Sequence, residues 1–278
     1  MCWHPLECIK PDLLVLSQPL VNMADIVSCK ESNFEIRIAS SSEEIMASQR
    51  LRYKVFVEEL GGDGALVDHS NKLEVDEFDP FFDHLILIDK ARNSEEVIGV
   101  YRVLRDEKML EIGRFYSETE YDLSALRKSG LRLLELGRSC VHPDYRGGTA
   151  MYQLWQGLSD YINEHKIDIL FGVASFHGTS LNSYSQALSN LYHFHTAPVE
   201  LLPRSLAHQD MNIITPDKVD KKIALKNTPP LIKSYLRLGG MVGHGAYIDT
   251  KFNTIDVCLV MELSRMSNRH KEIYSKAR

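Results

Sequence analysis

Chemically able side chains crowd the passage LLELGRSCVHPDYRGGTAM, residues 133–151. A strand-like apolar run carries Glu135 and Arg138, and the glycine turn Arg146-Gly147-Gly148 leads into a helix-like run. Glycine lets backbone amides approach a ligand closely, and the start of a helix favours negative charge. That combination suits a phosphopantetheine arm or its thioester; the plainer reading of the same letters is a turn. Glu135 and Arg138 stand three apart, so a regular strand would point them to opposite faces. A bulge would bring both to one face. Without one, one residue orients a substrate and the other supports the back of the strand.

A second acidic group lies in LEVDEFD, residues 73–79, just before an apolar run. Asp76 and Asp79 there could orient a cationic amino group if the loop folds inward, or they form an exposed acidic turn. His142, His177, His193, His195 and His244 have no spacing that defines a ligand set, and His193 and His195, two apart in a helix, face different directions. His177 follows a strand, where it either influences an amine or fills a cleft rim. The five cysteines (Cys2, Cys8, Cys29, Cys140, Cys258) form no CxxC pair. Their scatter suggests a reducing compartment, and Cys140 and Cys258 read as buried thiols. There is no GxxxxGK[ST] or GxGxxG loop, HEXXH or GxSxG. No metal and no tightly bound cofactor is expected.

The elements that must position these groups alternate. FEIRIA from Phe34 reads as a strand, and Ser41–Glu44 as a capping box for a helix bearing Met46, Tyr53, Val57 and Leu60 on one face. Gly61 and Gly62 offer its stop. HLILID and VIGVYRVL read as an antiparallel hairpin, and LLELGRS as a further strand. Met151, Leu154, Leu158 and Tyr161 mark one helix face; IDILFGVAS is a short strand, LNSYSQALSNLYHFH a helix and NTIDVCLVMEL a returning strand. The polar stretch at 200–230 reads as an insertion or flap. The pattern predicts an α/β or α+β domain over 34–263, with a flexible N-terminal arm over 1–33 and a C-terminal tail over 264–278.

Composition bounds the function. The 278 residues should bury about 70–75% of their unfolded surface. With 44% hydrophobic and 25% charged residues, the chain is not collagen-like, disulfide-scaffolded or wholly disordered. A net charge of −6 gives no general case for nucleic-acid binding. No 18-residue apolar span is present, and the start, lacking a basic leader and broken by Pro5, Pro11 and Pro19, does not read as a signal peptide.

Taken in order, LRYKVFVEEL, LEVDEFD, VIGVYRVL, LELGRSCVHPDYRGG, FGVASFHGTS, TPPLIKSYLRLGG and FNTIDVCLVMEL resemble the L-ornithine Nα-acyltransferases that make lyso-ornithine lipid. The resemblance covers about residues 34–263, interrupted near 200–228. It extends more distantly to acyl-homoserine-lactone synthases and implies a GNAT-like mixed sheet with flanking helices and a C-terminal extension on the substrate side. The lactone-synthase pattern matches Arg52 and Phe56 on the first long helix, Asp76 and Asp79 in the acidic loop, and Arg102 on the next strand. Its Glu–x–Ser–Arg segment matches Glu135 to Arg138, with Gly137 in place of serine. The tryptophan expected after the helix arginine is absent, which favours the lipid-forming family. Arg146 is followed by GGTAM rather than the usual GNAT phosphate loop, so coenzyme A is not implied as donor.

The resemblance implies transfer of a 3-hydroxyacyl group from an acyl-carrier protein, borne on its phosphopantetheine, to the α-amine of L-ornithine. Glu135 is the expected proton-handling residue, directly or through water, with backbone amides around Gly137–Cys140 facing the oxyanion. Asp76 and Asp79 are expected to hold ammonium, while Arg52 and Arg102 position carboxylate or support the acidic loop. Arg138 and His177 join the substrate site, as do Asp249, Asn253 and Asp256 around KFNTIDV. Arg146, Gly147, Gly148, Lys221 and Lys222 are expected to meet the carrier; the lysines belong to a basic stretch that could instead meet an anionic membrane. The expected location is cytoplasmic, at most peripheral at the inner face of the cytoplasmic membrane. Competing readings are acyl-homoserine-lactone synthesis from S-adenosylmethionine and a non-catalytic acyl-carrier or lipid-surface binding module.

Overall fold

Alternation of Phe34, Ile36 and Ile38 with Glu35 and Arg37 produces the first strand, β1 (Phe34–Ile38), of a computed structural model that describes residues 33–91 and 96–266. The expected arm over 1–33 and tail over 264–278 fall almost wholly outside these residues. Ser41 caps α1 (Ser42–Arg52) by accepting the Glu44 amide hydrogen at 3.3 Å. The returning carboxylate of Glu44 takes the amide of Ser40 (2.7 Å) rather than that of Ser41, so the expected box is displaced by one residue. Beyond Arg52 the helix widens into π-type turns over Tyr53–Glu59 and ends at Gly61, whose φ of +74° suits glycine.

The hairpin forms as β2 (Asp83–Asp89) and β3 (Val97–Arg105), followed by α2 (Asp106–Ile112). A tight turn at Tyr116–Thr119 precedes β4 (Tyr121–Asp122) and α3 (Ser124–Lys128). Then come β5 (Leu133–Val141), α4 (Ala150–His165), β6 (Ile169–His177) and α5 (Ser185–His195). The chain closes with β7 (Arg204–Ser205), α6 (Lys221–Asn227), α7 (Pro230–Arg237), β8 (Met241–Val242), β9 (Tyr247–Asp249) and β10 (Thr254–Glu262). The polar stretch at 200–230 is anchored: Met211, Ala224 and Thr228 are buried, and Ser189 on α5 accepts the amides of Ile213 and Ile214.

The main sheet runs β1-β2-β3-β5-β6-β10-β8, with β9 paired to the other end of β10. All its pairings are antiparallel except β5 with β6. This is the mixed α/β sheet expected of a GNAT-like domain. One face packs Leu85, Tyr101, Leu136, Phe176 and Val257 against α4, α5 and α7. The other packs Val100 and Cys140 against α1, and Leu104, Phe171 and Val260 against Phe78, Phe115 and Tyr121. No helix among the described residues is long and apolar enough to cross a membrane.

Two departures from regular pairing make the site. First, β5 and β6 pair only from Leu133–Ile169 to Glu135–Phe171 and then part, each keeping its outer partner. Gly172 and Leu136 make the last close approach before the strands part: a Cβ at Gly172 would collide with the carbonyl oxygen of Leu136. Second, the β3–β5 register shifts between Val100 and Arg102, and Arg138 takes a φ of +50°. This is a bulge: it switches the alternation of β5, so Glu135 and Arg138 share the α1 face.

Candidate active site

The first layer of the site is a buried salt lattice. Arg52 on α1 donates through Nε to Glu74 (2.5 Å) and through Nη1 to Asp79 (2.6 Å). Arg102 on β3 donates to Asp76 (2.6 Å) and to the same Asp79 oxygen (2.7 Å). Arg138, at the bulge, reaches Glu74 (3.0 Å) and Asp76 (3.4 Å). Three guanidinium groups therefore balance three carboxylates, which is how so many charges survive out of water. All three carboxyls sit below the ordinary carboxylate range: burial raises them, and the facing arginines outweigh it. His84, beside Asp79, is pushed down to about 4 by burial and stays neutral, with Nδ1 2.9 Å from Ser48 Oγ.

Asp76 and Asp79 were expected to hold an ammonium. Their charge is instead spent on Arg52, Arg102 and Arg138, and Asp79 also accepts from Gln49. Arg52 and Arg102 are fully buried, and their guanidinium groups pair with the carboxylates of this loop. Glu74, which sequence reasoning passed over, joins Arg52 to Arg138 in this lattice; it is one of four acids in the same seven-residue stretch.

Arg138 is the lattice arginine that lines open space. It lines the narrow gap where β5 and β6 part, of about 40 Å³, beside Gly137, Ser139 and Gly172. It also lines a cleft of about 260 Å³ with Phe56, Tyr116, Glu120, His177, Asp249 and Asp256. Phe252 and Tyr116 sandwich its guanidinium, with ring centroids at 5.2 and 4.9 Å. A cleft of about 400 Å³ on the same wall adds Glu74, Asp76 and Lys251.

Glu135 lines none of these clefts. It is 1% exposed, and its two oxygens accept the amide hydrogens of Tyr116 (2.8 Å) and Ser117 (2.6 Å). Burial pushes it up to about 7 against the lowering effect of those amides. The carboxylate, expected to handle a proton directly or through water, anchors the turn that carries Tyr116 and leads to Glu120.

Glu120, also unforeseen, belongs to the opposite charge regime. The Tyr121 hydroxyl donates to the main-chain carbonyl of Asp256 (2.8 Å), which pins Glu120 beside β10. Carboxylate oxygens of Glu120, Asp249 and Asp256 lie within 4.8 Å of one another, close enough for a shared cation. Burial first, then mutual repulsion, pushes Glu120 up to about 9 and Asp256 up to about 6. The sequence signal for Glu120 was weak, since ETEYD reads as a solvated turn.

The remaining expected residues are scattered. His177 stands exposed on the cleft rim. Asn253 takes a left-handed turn with φ +53°, and its carbonyl accepts the Gly178 amide (2.7 Å); its side chain lines neither cleft. Arg146 is clamped to Glu59 by two bonds of 2.6 and 2.7 Å, and Gly147, with φ +79°, turns the chain through Gly148 into α4. Lys221 and Lys222 are exposed at the start of α6, with the Lys221 ammonium 5.0 Å from the Phe194 ring centroid. Cys140 is buried and pushed up to about 12, which removes it as a nucleophile at neutral pH.

A model of the acetyltransferase (GNAT) domain matches residues 51–156. The L-ornithine Nα-acyltransferase of Rhodobacter capsulatus is 56% identical over 247 residues, covering 88% of this chain and 95% of that protein. Its Brucella abortus counterpart is 40% identical, covering 90% and 91%. A coenzyme-A-dependent acyl-homoserine lactone synthase, BjaI, shares the fold at 13% identity, with a TM-score of 0.51 and coverage of 87% and 89%. The chain is an N-acyltransferase, and it belongs to the L-ornithine Nα-acyltransferase family.

Proposed function

We propose that the protein transfers a 3-hydroxyacyl group from the phosphopantetheine of an acyl-carrier protein to the α-amine of L-ornithine, giving lyso-ornithine lipid. The observation that carries this reading is the parting of β5 and β6 beyond Glu135 and Phe171, which opens directly beside Arg138. A thioester in that gap would lie against the unpaired edge of β5 around Gly137–Cys140, where backbone amides can receive the developing oxyanion. Family membership supports ornithine as acceptor.

In this reading Arg138 holds the acceptor's α-carboxylate. Its guanidinium is fixed by Glu74 and Asp76 and sandwiched by Tyr116 and Phe252, so little freedom is lost on binding. The neutral α-amine attacks the thioester carbon; the C–N bond forms as the C–S bond breaks. The nitrogen's surplus proton passes to water in the cleft, whose rim residues Leu60 and His177 are exposed, and water returns a proton to the departing thiolate, so the carrier leaves with a free thiol. Glu135 is a positioning residue that holds the Tyr116–Thr119 turn. The turn at Arg146, Gly147 and Gly148 and the lysines Lys221 and Lys222 receive the carrier.

The test is an intact-mass assay pairing 3-hydroxyacyl-carrier thioesters with ornithine, glycine and lysine. An amide-linked acyl-ornithine is expected, with the carrier returned as free thiol. A preference for glycine, or acyl transfer only from coenzyme A, would overturn the corresponding half of the reading.

A further inference from the structure

We infer that Glu120, Asp249 and Asp256 form the recognition pocket for a second ammonium group, the side-chain amine of the acceptor, and so select diamino acids. This rests on the acyltransfer reading and assigns the specificity element within it. Two observations independent of the acidic grouping point to a bound cation. The Oε2 of Glu120 and the Oδ1 of Asp256 are buried without a hydrogen-bond partner, and both residues are 4% exposed yet line the cleft. Unpartnered carboxylate oxygens at that depth are costly unless a ligand supplies the missing donors.

The charge arrangement identifies the ligand. Arg138 is the lone arginine or lysine of the smaller cleft, and its charge is already shared by Glu74 and Asp76. Lys251 lines the larger cleft with Glu120 and Asp249, and Arg138 lowers Glu120 and Asp256 from a distance, but among the described residues no arginine or lysine forms an ion pair with the three carboxylates. A zwitterion with a carboxylate at one end and a protonated amine at the other matches Arg138 and this cluster at the same time. The other polar partners are already placed: Ser175 and Thr254 bond the Asp256 carboxyl, Thr254 to Oδ2 at 3.2 Å, and Asp249 Oδ1 accepts the amides of Lys251 (2.8 Å) and Phe252 (3.1 Å). An ammonium has three N–H donors, enough for the two open oxygens and one oxygen of Asp249. Three carboxylates can also hold a divalent metal whose remaining positions are filled by water, so the experiment includes magnesium and calcium. The elevated proton affinity of Glu120 and Asp256 is what such a pair shows while its cation is absent.

The experiment compares L-ornithine with L-norvaline, which keeps the carbon chain and lacks the side-chain amine. Wild-type protein should favour ornithine in kcat/KM by about 10–100-fold, the range of a charged hydrogen bond. In Glu120→Gln and in Asp249→Asn that ratio should collapse towards one. The ratio is measured within one preparation, so partial unfolding does not move it. A wild-type ratio near one, or a ratio preserved in both variants, overturns the inference while leaving acyltransfer intact. Failure of the wild type to acylate any amino acid overturns the acyltransfer reading instead. Thermal shift without donor gives a second readout: ornithine should raise Tm in the wild type and not in Glu120→Gln, with norvaline inert in both. Stabilisation by magnesium or calcium, with turnover abolished by a chelator, would make this a metal site and end the proposal.

Discussion

Arg52 on α1 and Arg102 on β3 meet at a single atom, Oδ1 of Asp79, at 2.6 and 2.7 Å. One carboxylate oxygen thus ties the first helix to the sheet beneath the cleft. Removing its charge would leave two buried guanidinium groups short of a partner, the costly way to break such a lattice. Asp79→Asn should lose about 3–5 kcal/mol of stability, read as a lowered denaturation midpoint. Because Asp79 is held below its ordinary range, its contribution is full above its unfolded pKa of about 3.9 and fades as pH falls. A folded Asp79→Asn protein of wild-type stability would show that the lattice is dispensable.

Glu120 should behave in the opposite way. Its carboxyl is raised to about 9, so the folded, ligand-free protein holds a proton that the unfolded chain has released by about pH 5. Stability from this group is fully present at low pH and is lost as pH rises through 9. Glu135 and Asp256, raised to about 7 and about 6, add the same slope earlier. Between pH 7 and 9 the Tm of the wild type should therefore fall more steeply than that of Glu120→Gln. Parallel curves would deny the buried carboxyl its raised pKa.

Glu135→Gln separates a base from an anchor. Glutamine offers one acceptor oxygen where Tyr116 and Ser117 need two, so one amide loses its partner at a cost of about 1–3 kcal/mol. The anchor reading predicts a lower Tm and a higher KM for the amino acid, with the shape of the kcat–pH profile kept. A base would contribute about 10²–10⁴-fold to kcat. A loss of that size with unchanged KM and a missing acidic limb would restore Glu135 to proton transfer.

Much of this was legible in the sequence, for stated reasons. Alternation marked β1, and short apolar runs marked the hairpin β2–β3 and the strands β5, β6 and β10, which are buried on both faces. The Glu135–Arg138 spacing posed the bulge question, and β5 answers it with the register shift opposite Tyr101. Glu120 stayed hidden because its meaning depends on Asp256, 136 positions later, brought close by the Tyr121 hydroxyl. The anchoring of the polar stretch around Met211 was equally hidden, since it rests on one serine of α5 receiving two backbone amides. Burial of Arg52 and Arg102 could not be read from residue type, because arginine is usually exposed unless paired.

Two glycines on the walls of the β5–β6 gap make a matched pair of tests. A Cβ at Gly172 would collide with the Leu136 carbonyl oxygen, whereas one at Gly137 meets nothing within 4 Å. Gly172→Ala should force the strands apart and cost at least about 1–3 kcal/mol, as overpacking does. Gly137→Ala should leave Tm nearly unchanged and act, if at all, on donor KM, because Gly137 lines the gap itself. Equal stability of the two variants would mean that Leu136 and Gly172 do not approach as closely as described.

The last prediction concerns the donor vehicle. Lys221 and Lys222 stand exposed on α6 beside the exposed side chains of Ile223 and Leu225, and Lys221 lies over Phe194, itself 46% exposed. A basic face on a chain of net charge −6 can steer an acidic carrier protein towards one side of the molecule. Steering weakens with salt, since the screening length falls to about 8 Å at physiological ionic strength. With one acyl group attached either to carrier protein or to coenzyme A, the carrier should be the better donor at low salt, and its advantage should shrink as salt rises. Replacing both lysines by glutamine should slow carrier-dependent turnover several-fold and coenzyme-A-dependent turnover far less. An equal effect on both donors would place Lys221 and Lys222 outside the docking surface. A salt-independent carrier advantage would move recognition to uncharged contacts with the carrier protein itself, since both donors share the phosphopantetheine arm.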